Sequence, residues 1–429
     1  MRSPDEPFLR RASFVAIIVA IGAASLLAVA PALAGERDPA RWVATWATGP
    51  AGPAPGTPPQ FDNQTVRYIV HTSVGGDRVR VKISNAFGTE PLVIGSAHVA
   101  RRVEGARIAR STDRRLTFGG VDHVTIPVGA LVLSDPAELE VPALSDLAIS
   151  IYLPRPTTAT TMHVLALQTS YIAAGTGNAT GAADLPGAAT TTSWHFLTSV
   201  DVRRQGGGAV VALGDSITDG ANSTVDANLR WPNVLAARLQ QRRESSRLGV
   251  IDQGIIGNRI LHPTEPQFEN LFGPAALARF DRDVLAHPGV THVIVLLGIN
   301  DIGHPGSSAP DSEEVSAEEI EAGLLQFVER AHENGIRIFG ATLTPFEGTT
   351  LVGFFSPEKE VKRQAVNRWI RTSGKFDGVI DFDAAIRDPS HPARILPIYD
   401  GGDHLHPSDA GQQAMGRAIP LRLFDDDDR

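Results

Sequence analysis

The stretch Ala209-Val210-Val211-Ala212-Leu213-Gly214-Asp215-Ser216-Ile217-Thr218-Asp219-Gly220 decides how the second half of the chain folds. Its first five residues are small or aliphatic and predict a buried strand that ends at Gly214. A helical pattern starts at Leu229, so Ser216 lies at a strand-to-helix turn. Outward-facing N–H groups and the helix dipole at such a turn suit a nucleophile whose attack creates an oxyanion. An ordinary turn with Asp215 as a helix cap is the alternative.

Strand-like and helix-like segments alternate beyond this stretch. Five apolar runs, separated by amphipathic segments, lie at residues 209–213, 250–256, 292–297, 336–343 and 378–382. In one amphipathic segment Ile320, Leu324 and Phe327 fall on one helical face. This alternation predicts an α/β fold in which helices cover both faces of a five-stranded parallel sheet. Ligands bind beyond the carboxyl ends of the strands in such sheets, so the polar residues there are the candidates for a site.

The front half of the chain has a different period. From about residue 60 to residue 199 apolar residues alternate with polar ones, as where Val79, Val81 and Ile83 alternate with Arg80 and Lys82. Glycine-rich turn signals separate these runs, and no stretch has convincing helical periodicity. We therefore predict an antiparallel β-sandwich domain at residues 35–205 and an α/β domain at residues 206–429, joined by the glycines at 206–208.

The first 34 residues have the pattern of a secretory signal peptide. Arg10 and Arg11 precede an apolar run at residues 14–30, and Ala32-Leu33-Ala34 is an A-x-A cleavage pattern. An uncleaved membrane anchor is the alternative. No later stretch is long enough to cross a bilayer, so we expect a secreted or periplasmic protein whose mature chain does not insert stably into a membrane.

Composition narrows the possible chemistry. Hydrophobic residues make up 42% of the chain and charged residues 20%, which is typical of a globular protein. A net charge of −9 and a pI of about 5.8 argue against a nucleic-acid partner. The chain has no cysteine, which excludes thiolate catalysis and cysteine-ligated metals. The histidines have no metal-ligand spacing, so we expect neither a metal nor a cofactor.

Polar residues follow three further strands of the predicted sheet. Gly257 comes after the second strand, Asn300 after the third, and Asp403 and His406 after the fifth. Ester hydrolysis through a serine needs an activated hydroxyl, a base, an acid that orients the base, and donors for the oxyanion. Ser216, His406 and Asp403 are candidates for the first three roles. The donors would be the N–H groups of Ser216 and Gly257 and the side-chain amide of Asn300.

These blocks, taken in order, resemble the SGNH, or GDSL-type, hydrolase superfamily. The blocks are Gly-Asp-Ser, then Gly, then Gly-x-Asn-Asp, then Asp-x-x-His-Pro, and they cover the last half of the chain from Gly206 onward. The resemblance implies a three-layer α/β/α flavodoxin-like domain without a metal. It also implies Ser216 as nucleophile, Asp403 and His406 as its triad partners, and Gly257 and Asn300 in the oxyanion hole. Ile217 stands where the family name has leucine.

The β-rich front half, together with the motifs GDSITDGANS at residues 214–223 and GINDIGHPG at residues 298–306, resembles a secreted, two-domain branch of the superfamily. This branch includes esterases linked to xylan degradation. We therefore expect a secreted serine esterase acting through an acyl-enzyme on short-chain, above all acetyl, esters. The substrate would be a small molecule or a plant polysaccharide. A lipase or lysophospholipase acting on lipid esters is one alternative, and a non-catalytic carbohydrate-binding protein is the other.

Several neighbouring residues have two interpretations. Asp381 and Asp383 are rivals of Asp403 as the acid that orients the base. Asp301 could act in catalysis, although tying a loop is the simpler role. Arg259 and His404 are candidates for substrate binding, and the alternatives are a surface ion pair for Arg259 and a structural role for His404.

Overall fold

A computed structural model describes residues 40–56, 58–242, 248–268 and 270–425 of the chain. The predicted signal peptide at residues 1–34 lies outside this part. One compact unit takes in all the described residues. The boundary at residues 205 and 206 therefore stays a prediction.

The N-terminal region consists of antiparallel strands, as the sequence predicts. One sheet has the order β1-β18-β4-β10, with β11 also paired to β4, and a larger sheet has the order β16-β15-β3-β12-β6-β7, with β8 also paired to β6. The strands are β1 (Ala40–Ala47), β2 (Gln60–Phe61), β3 (Gln64–His71), β4 (Gly76–Ser84), β5 (Leu92–Ile94), β6 (Ser96–Glu104), β7 (Arg107–Ile108), β8 (Arg114–Leu116), β9 (Val124–Ile126), β10 (Leu131–Leu133), β11 (Ala137–Val141), β12 (Asp146–Leu153), β13 (Thr157–Thr158), β14 (Met162–His163), β15 (Ser170–Ile172), β16 (Ala189–Thr191), β17 (Trp194–His195) and β18 (Leu197–Gln205).

Side chains that point alternately to the two faces of each strand determine which residues form the core of this region. Tyr68 of β3 and Val81 of β4 come from different sheets and lie in the same buried cluster. Ile69, which follows Tyr68, belongs to a separate cluster on the other face of its sheet. Because side chains of a strand point alternately to its two faces, this division follows directly from the period-two pattern.

The C-terminal part has the predicted parallel sheet, with the strand order β20-β19-β21-β22-β23. Its strands are β19 (Gly208–Gly214), β20 (Leu248–Gly254), β21 (Val290–Leu296), β22 (Arg337–Ala341) and β23 (Gly378–Ile380). The α-helices are α1 (Ser216–Asp219), α2 (Trp231–Gln240), α3 (Ala276–Phe280), α4 (Ile299–Gly303), α5 (Ala317–Glu333), α6 (Pro357–Thr372), α7 (Phe382–Ile386) and α8 (Asp409–Ala418). None of the described helices has the length and apolar composition needed to span a bilayer.

Strands β22 and β20 each end two residues before their apolar runs do. The run at 336–343 ends its strand at Ala341, because the N–H of Leu343 donates to the side-chain oxygen of Asn367 at 2.7 Å instead of to a neighbouring strand. The run at 250–256 ends its strand at Gly254, and the chain turns at Gly257, where φ is +64°. The apolar pattern of a sequence does not reveal the side-chain acceptors or the positive φ angles that end the hydrogen bonding between strands.

The two halves of the chain are packed against each other. Only two residues separate β18 from β19, and a single buried cluster contains side chains from both halves. The N–H of Ala44 in β1 donates to the carbonyl of Pro288 at 3.1 Å, and the N–H of Val250 in β20 donates to the hydroxyl of Ser73 at 2.9 Å. The short glycine connection therefore joins two packed regions.

At Gly249 of β20 the two halves of the chain approach each other closely. A Cβ atom there would lie 2.4 Å from the backbone oxygen of Ala44 in β1. We expect Gly249→Ala to destabilise the protein by roughly 1–3 kcal/mol, because overpacking at a fixed backbone displaces one region from the other. Calorimetric melting temperatures would measure the loss.

Gly181→Ala is the matched control for this prediction. The atom nearest to its added Cβ would be a ring carbon of His98 at 3.3 Å, a contact that a shift of a few tenths of an ångström relieves. We expect this variant to melt close to the parent. Equal melting temperatures for the two variants would contradict tight packing at Gly249.

Candidate active site

The turn that carries Ser216 follows β19 directly. Asp215 caps α1, and its side chain accepts a hydrogen bond from the N–H of Ile217 at 2.9 Å. A Cβ atom at Gly214 would lie 2.0 Å from the hydroxyl oxygen of Thr218, so glycine at the end of β19 leaves the space that the Thr218 side chain occupies. The helix ends after one turn at Gly220, where φ is +89°. Ser216 is 8% exposed at this turn.

The last loop of the sheet brings His406 to Ser216. The hydroxyl oxygen of Ser216 lies 2.8 Å from Nε2 of His406, and Nδ1 of His406 lies 2.7 Å from Oδ2 of Asp403. The carboxylate can only accept, so Nδ1 carries the proton and Nε2 is left to accept from the serine hydroxyl. This is the tautomer in which an imidazole can remove a proton from serine.

Asp403 accepts hydrogen bonds from other groups besides the ring of His406. Its Oδ1 accepts from the N–H groups of Leu405 at 3.0 Å and His406 at 2.8 Å, and its Oδ2 accepts from the side-chain amide of Asn222 at 3.0 Å. Burial disfavours the ionised form, but the hydrogen bonds and charge of His406 outweigh it and hold the pKa of Asp403 well below its usual range. Sequence analysis missed Asn222, which lies 181 residues from its partner.

The two candidate oxyanion loops are closely packed. Gly257 has a positive φ, and a Cβ atom there would lie 2.5 Å from the ring of Phe272. Asn300 is buried in α4, and its amide donates to the carbonyl of Asn258 at 3.0 Å. An amide nitrogen has two hydrogens, so this bond orients the group and leaves the second N–H for an oxyanion.

Arg279 connects the strand ends, and sequence analysis did not identify it. Its fully buried guanidinium donates to the carbonyls of Gly214 at 2.8 Å and Gln253 at 2.9 Å, and to the side-chain oxygen of Asn258 at 2.9 Å. Asp283 pairs with it at 2.9 Å. The loop of Ser216 and the loop of Gly257 are therefore fixed to one side chain. A lone arginine in a helical pattern carries no signal of this role.

The two sequence candidates for substrate binding lie in different surroundings. Arg259 is 2% exposed, and its guanidinium binds Glu313 at 2.7 Å and Glu265 at 3.3 Å. Its guanidinium also donates to the carbonyl of Pro263 at 2.7 Å. His404 is half-exposed beside the triad loop, and its Nδ1 pairs with Asp400.

The other acidic candidates have structural partners. Asp301 accepts from the N–H groups of Ile260 at 2.8 Å and Leu261 at 3.0 Å and so ties the loop that follows β20. Asp381 binds Arg371, and Asp383 binds Arg363, each at 2.7 Å. Asp403 is the acid that contacts His406. Within the described ranges, no group of three or more His, Cys, Asp or Glu side chains could hold a metal ion.

Comparison with known proteins gives a family match in the second half of the chain. Residues 212–414 match the model of the GDSL-like lipase/acylhydrolase family, which confirms the prediction of a GDSL-type ester hydrolase. The comparison with curated proteins gave no match. A GDSL-like lipase from Bacteroides thetaiotaomicron is 18% identical, with a TM-score of 0.35, and the match covers 50% of this chain and 87% of that one. An acetylxylan esterase from Geobacillus stearothermophilus is 22% identical, with a TM-score of 0.37, and the match covers 51% of this chain and 94% of that one.

Asp215 gives the site a pH-dependent stability. Burial raises its pKa to about 7, and its Oδ2 has no hydrogen-bond partner among the described residues. The unfolded chain loses this proton at lower pH than the folded one, so ionisation of Asp215 costs stability as the pH rises through this window. Asparagine also caps helices and has no charge. We expect the melting temperature of Asp215→Asn, relative to the parent, to rise from about pH 5 to about pH 8.

Two further variants separate the charge of Asp215 from its cap. Asp215→Ala removes the cap and should cost about 1 kcal/mol even at low pH. Asp77 is bound by Arg203, which lowers its pKa, so Asp77→Asn should show no such gain with pH. A pH-independent difference between Asp215→Asn and the parent would contradict the shifted titration.

Proposed function

Starting from the GDSL-like lipase/acylhydrolase domain at residues 212–414, we propose that this protein is a secreted serine esterase. It hydrolyses short-chain acyl esters, above all acetyl esters on plant polysaccharide. The observation that carries the proposal is the hydrogen-bonded series from the Ser216 hydroxyl through His406 to Asp403, at 2.8 and 2.7 Å. The signal-peptide pattern of residues 1–34 supports export.

The reaction proceeds through an acyl-enzyme. The Ser216 oxygen attacks the ester carbonyl carbon while Nε2 of His406 takes the serine proton. The imidazolium then gives this proton to the alcohol as the bond from the carbonyl carbon to the alkoxy oxygen breaks. Water, deprotonated by the same nitrogen, attacks the acyl carbon and releases the acid and the serine. Asp403 stabilises the imidazolium throughout, which fits the lowered pKa of this carboxyl group.

The negative charge of the tetrahedral intermediate falls on the former carbonyl oxygen. The N–H groups of Ser216 and Gly257 and the Asn300 amide are its donors. The bond from Asn300 to the carbonyl of Asn258 supports this role, because a donor oriented before the reaction needs no reorganisation during it.

The aromatic side chains beside Gly257 support the preference for a small acyl group. The ring of Phe272 covers the Cα of Gly257, and the rings of His304 and Phe272 are 5.5 Å apart. Aromatic side chains therefore fill the space next to one oxyanion loop. An acetyl group needs little of that space.

A lipid ester is the second candidate substrate, because apolar side chains lie exposed near the triad loop. The N–H of Thr350 donates to the carbonyl of Asp403 at 3.1 Å, and the next two residues, Leu351 and Val352, are 47% and 90% exposed. Exposed apolar residues of this kind are the contacts that a lipid surface favours.

Removal of the proposed catalytic groups tests the mechanism. We expect Ser216→Ala to abolish turnover of p-nitrophenyl acetate and Asn300→Ala to lower kcat by about two to three powers of ten, because one oxyanion donor is lost. Asn334→Ala, at the exposed end of α5, is the matched control and should behave like the parent. Sugar binding without esterase activity in the parent would favour the non-catalytic alternative.

The pH dependence of kcat/KM should show a single ionisation at acidic pH. Asp403 is already ionised because its pKa is lowered, so its deprotonation does not limit the reaction at acidic pH. We expect log kcat/KM to rise with pH with a slope of about one, because a protonated base cannot accept the serine proton. A slope of about two would show that a second group must ionise.

An acyl-length series separates the two substrate classes. With p-nitrophenyl esters from acetate to palmitate, we expect kcat/KM to be highest for acetate and to fall with chain length, because Phe272 limits the acyl space. Acetate release from acetylated xylan is the corresponding assay on a polysaccharide. A preference for long chains that increases above the micellar concentration would favour the lipid alternative.

A further inference from the structure

The helix that begins with Ser216 is a single turn. One helical turn is unstable by itself, so the contacts at its ends fix its position. Asp219 closes this turn, and its backbone carbonyl accepts from Nε of Arg230 at 2.6 Å. A Cβ atom at Gly254 would lie 2.4 Å from the backbone nitrogen of Asp219, so β20 supports the turn from below.

The side chain of Asp219 is bound by the N-terminal β-rich region. Nε2 of His163, in β14, lies 2.9 Å from Oδ1 of Asp219, and Nδ1 of the same ring lies 3.0 Å from the carbonyl of Gly49. Both partners are acceptors, so both ring nitrogens donate and the ring is an imidazolium. The two side chains are 4% and 3% exposed, which shields the pair from solvent.

The groups around the ion pair leave His163 as the side-chain donor to Asp219. Burial lowers the pKa of His163, but the charge and hydrogen bond of Asp219 outweigh it and leave the pKa above its ordinary value. Arg230 and Asp252 are the other charged groups close to the pair, and the ring of Trp194 packs 5.7 Å from that of His163. Oδ2 of Asp219 has no partner among the described residues. Without His163, the Asp219 carboxylate would therefore be buried without any side-chain donor.

We propose that His163 is a positioning residue for the esterase reaction, because it holds Asp219 and thereby the turn that presents Ser216 to His406. The β-rich region thus contributes directly to the geometry of the nucleophile. This inference rests on the proposed function of Ser216. His163 lies 53 residues before Ser216, in a different sheet, and acts only through Asp219.

The expected effect is on the chemical step. A shift of about 1 Å in a reacting group can cost about 100-fold in rate, and a buried carboxylate that has lost its donor moves toward a new one. We expect His163→Ala to lower kcat on p-nitrophenyl acetate at least about 10-fold and to change KM less than about threefold, because the acyl and alcohol contacts are unchanged. Labelling of Ser216 by a fluorophosphonate should slow by a similar factor.

His98→Ala is the matched control. His98 pairs with Asp113 at 3.0 Å inside the β-rich region, and it too is partly buried, but neither residue contacts the Ser216 turn. We expect its kcat and its labelling rate to stay within about twofold of the parent. Measurements are made well below the melting temperature of each variant. A kcat of His163→Ala within twofold of the parent would overturn the inference.

Two further substitutions, alone and combined, keep the test decisive if His163→Ala does not fold. His163→Gln can keep one donor on Asp219 and should retain more of kcat than the alanine variant, and the opposite order overturns the inference. Asp219→Asn removes the charge that His163 binds. The double variant His163→Gln/Asp219→Asn should lose no more kcat than the poorer single variant, since the two residues act as one unit. Additive losses would overturn the route through Asp219.

Ser216→Ala, measured in the same series, separates this inference from the proposed function. An inactive Ser216→Ala together with a fully active His163→Ala overturns the inference alone. An active Ser216→Ala overturns the proposed function and the inference with it.

Discussion

The geometry of the site depends above all on the buried guanidinium of Arg279. Parallel strands end with carbonyl groups that point toward the loops, and a buried carbonyl without a donor is costly. The guanidinium of Arg279 donates to two such carbonyls, at Gly214 and Gln253, and also to the side chain of Asn258. Arginine suits this position because its planar group presents several N–H donors in fixed directions. Burying its charge is offset by Asp283 at 2.9 Å.

This bonding explains why small displacements matter at the site. Gly214 and Gly254 have no room for a side chain, and Arg279 bonds directly to Gly214 and to the residue before Gly254. The Ser216 turn and the Gly257 loop are therefore rigid relative to each other before any substrate arrives. Donors that are fixed in advance stabilise an oxyanion without reorganisation. Such electrostatic stabilisation is usually the largest single contribution to the rate enhancement of an enzyme.

Periodicity and strand-end polarity carried most of the information that the sequence offered. The period-two pattern predicted the antiparallel region and the apolar runs predicted the five parallel strands, because burial dictates both. Ser216 and His406 could be singled out as candidates because ligands bind beyond the carboxyl ends of parallel strands. Asn222, His163 and Arg279 could not, because each acts through a tertiary contact and no local pattern distinguishes it from an ordinary surface or core residue. Arg259 was singled out by its place after a strand, but its pairing with two glutamates could not be predicted from the sequence.

The β-rich region also covers an edge strand of the parallel sheet. β20 is an edge strand, and an exposed edge offers unpaired N–H and C=O groups to other chains. Here Ser73 accepts from the N–H of Val250, and β1 lies so close that Gly249 admits no Cβ atom. The same packing brings β14 close enough for His163 to reach Asp219. Covering the edge and holding the nucleophile turn are therefore two consequences of one interface, so the β-rich region is a structural part of the hydrolase and not an independent appendage.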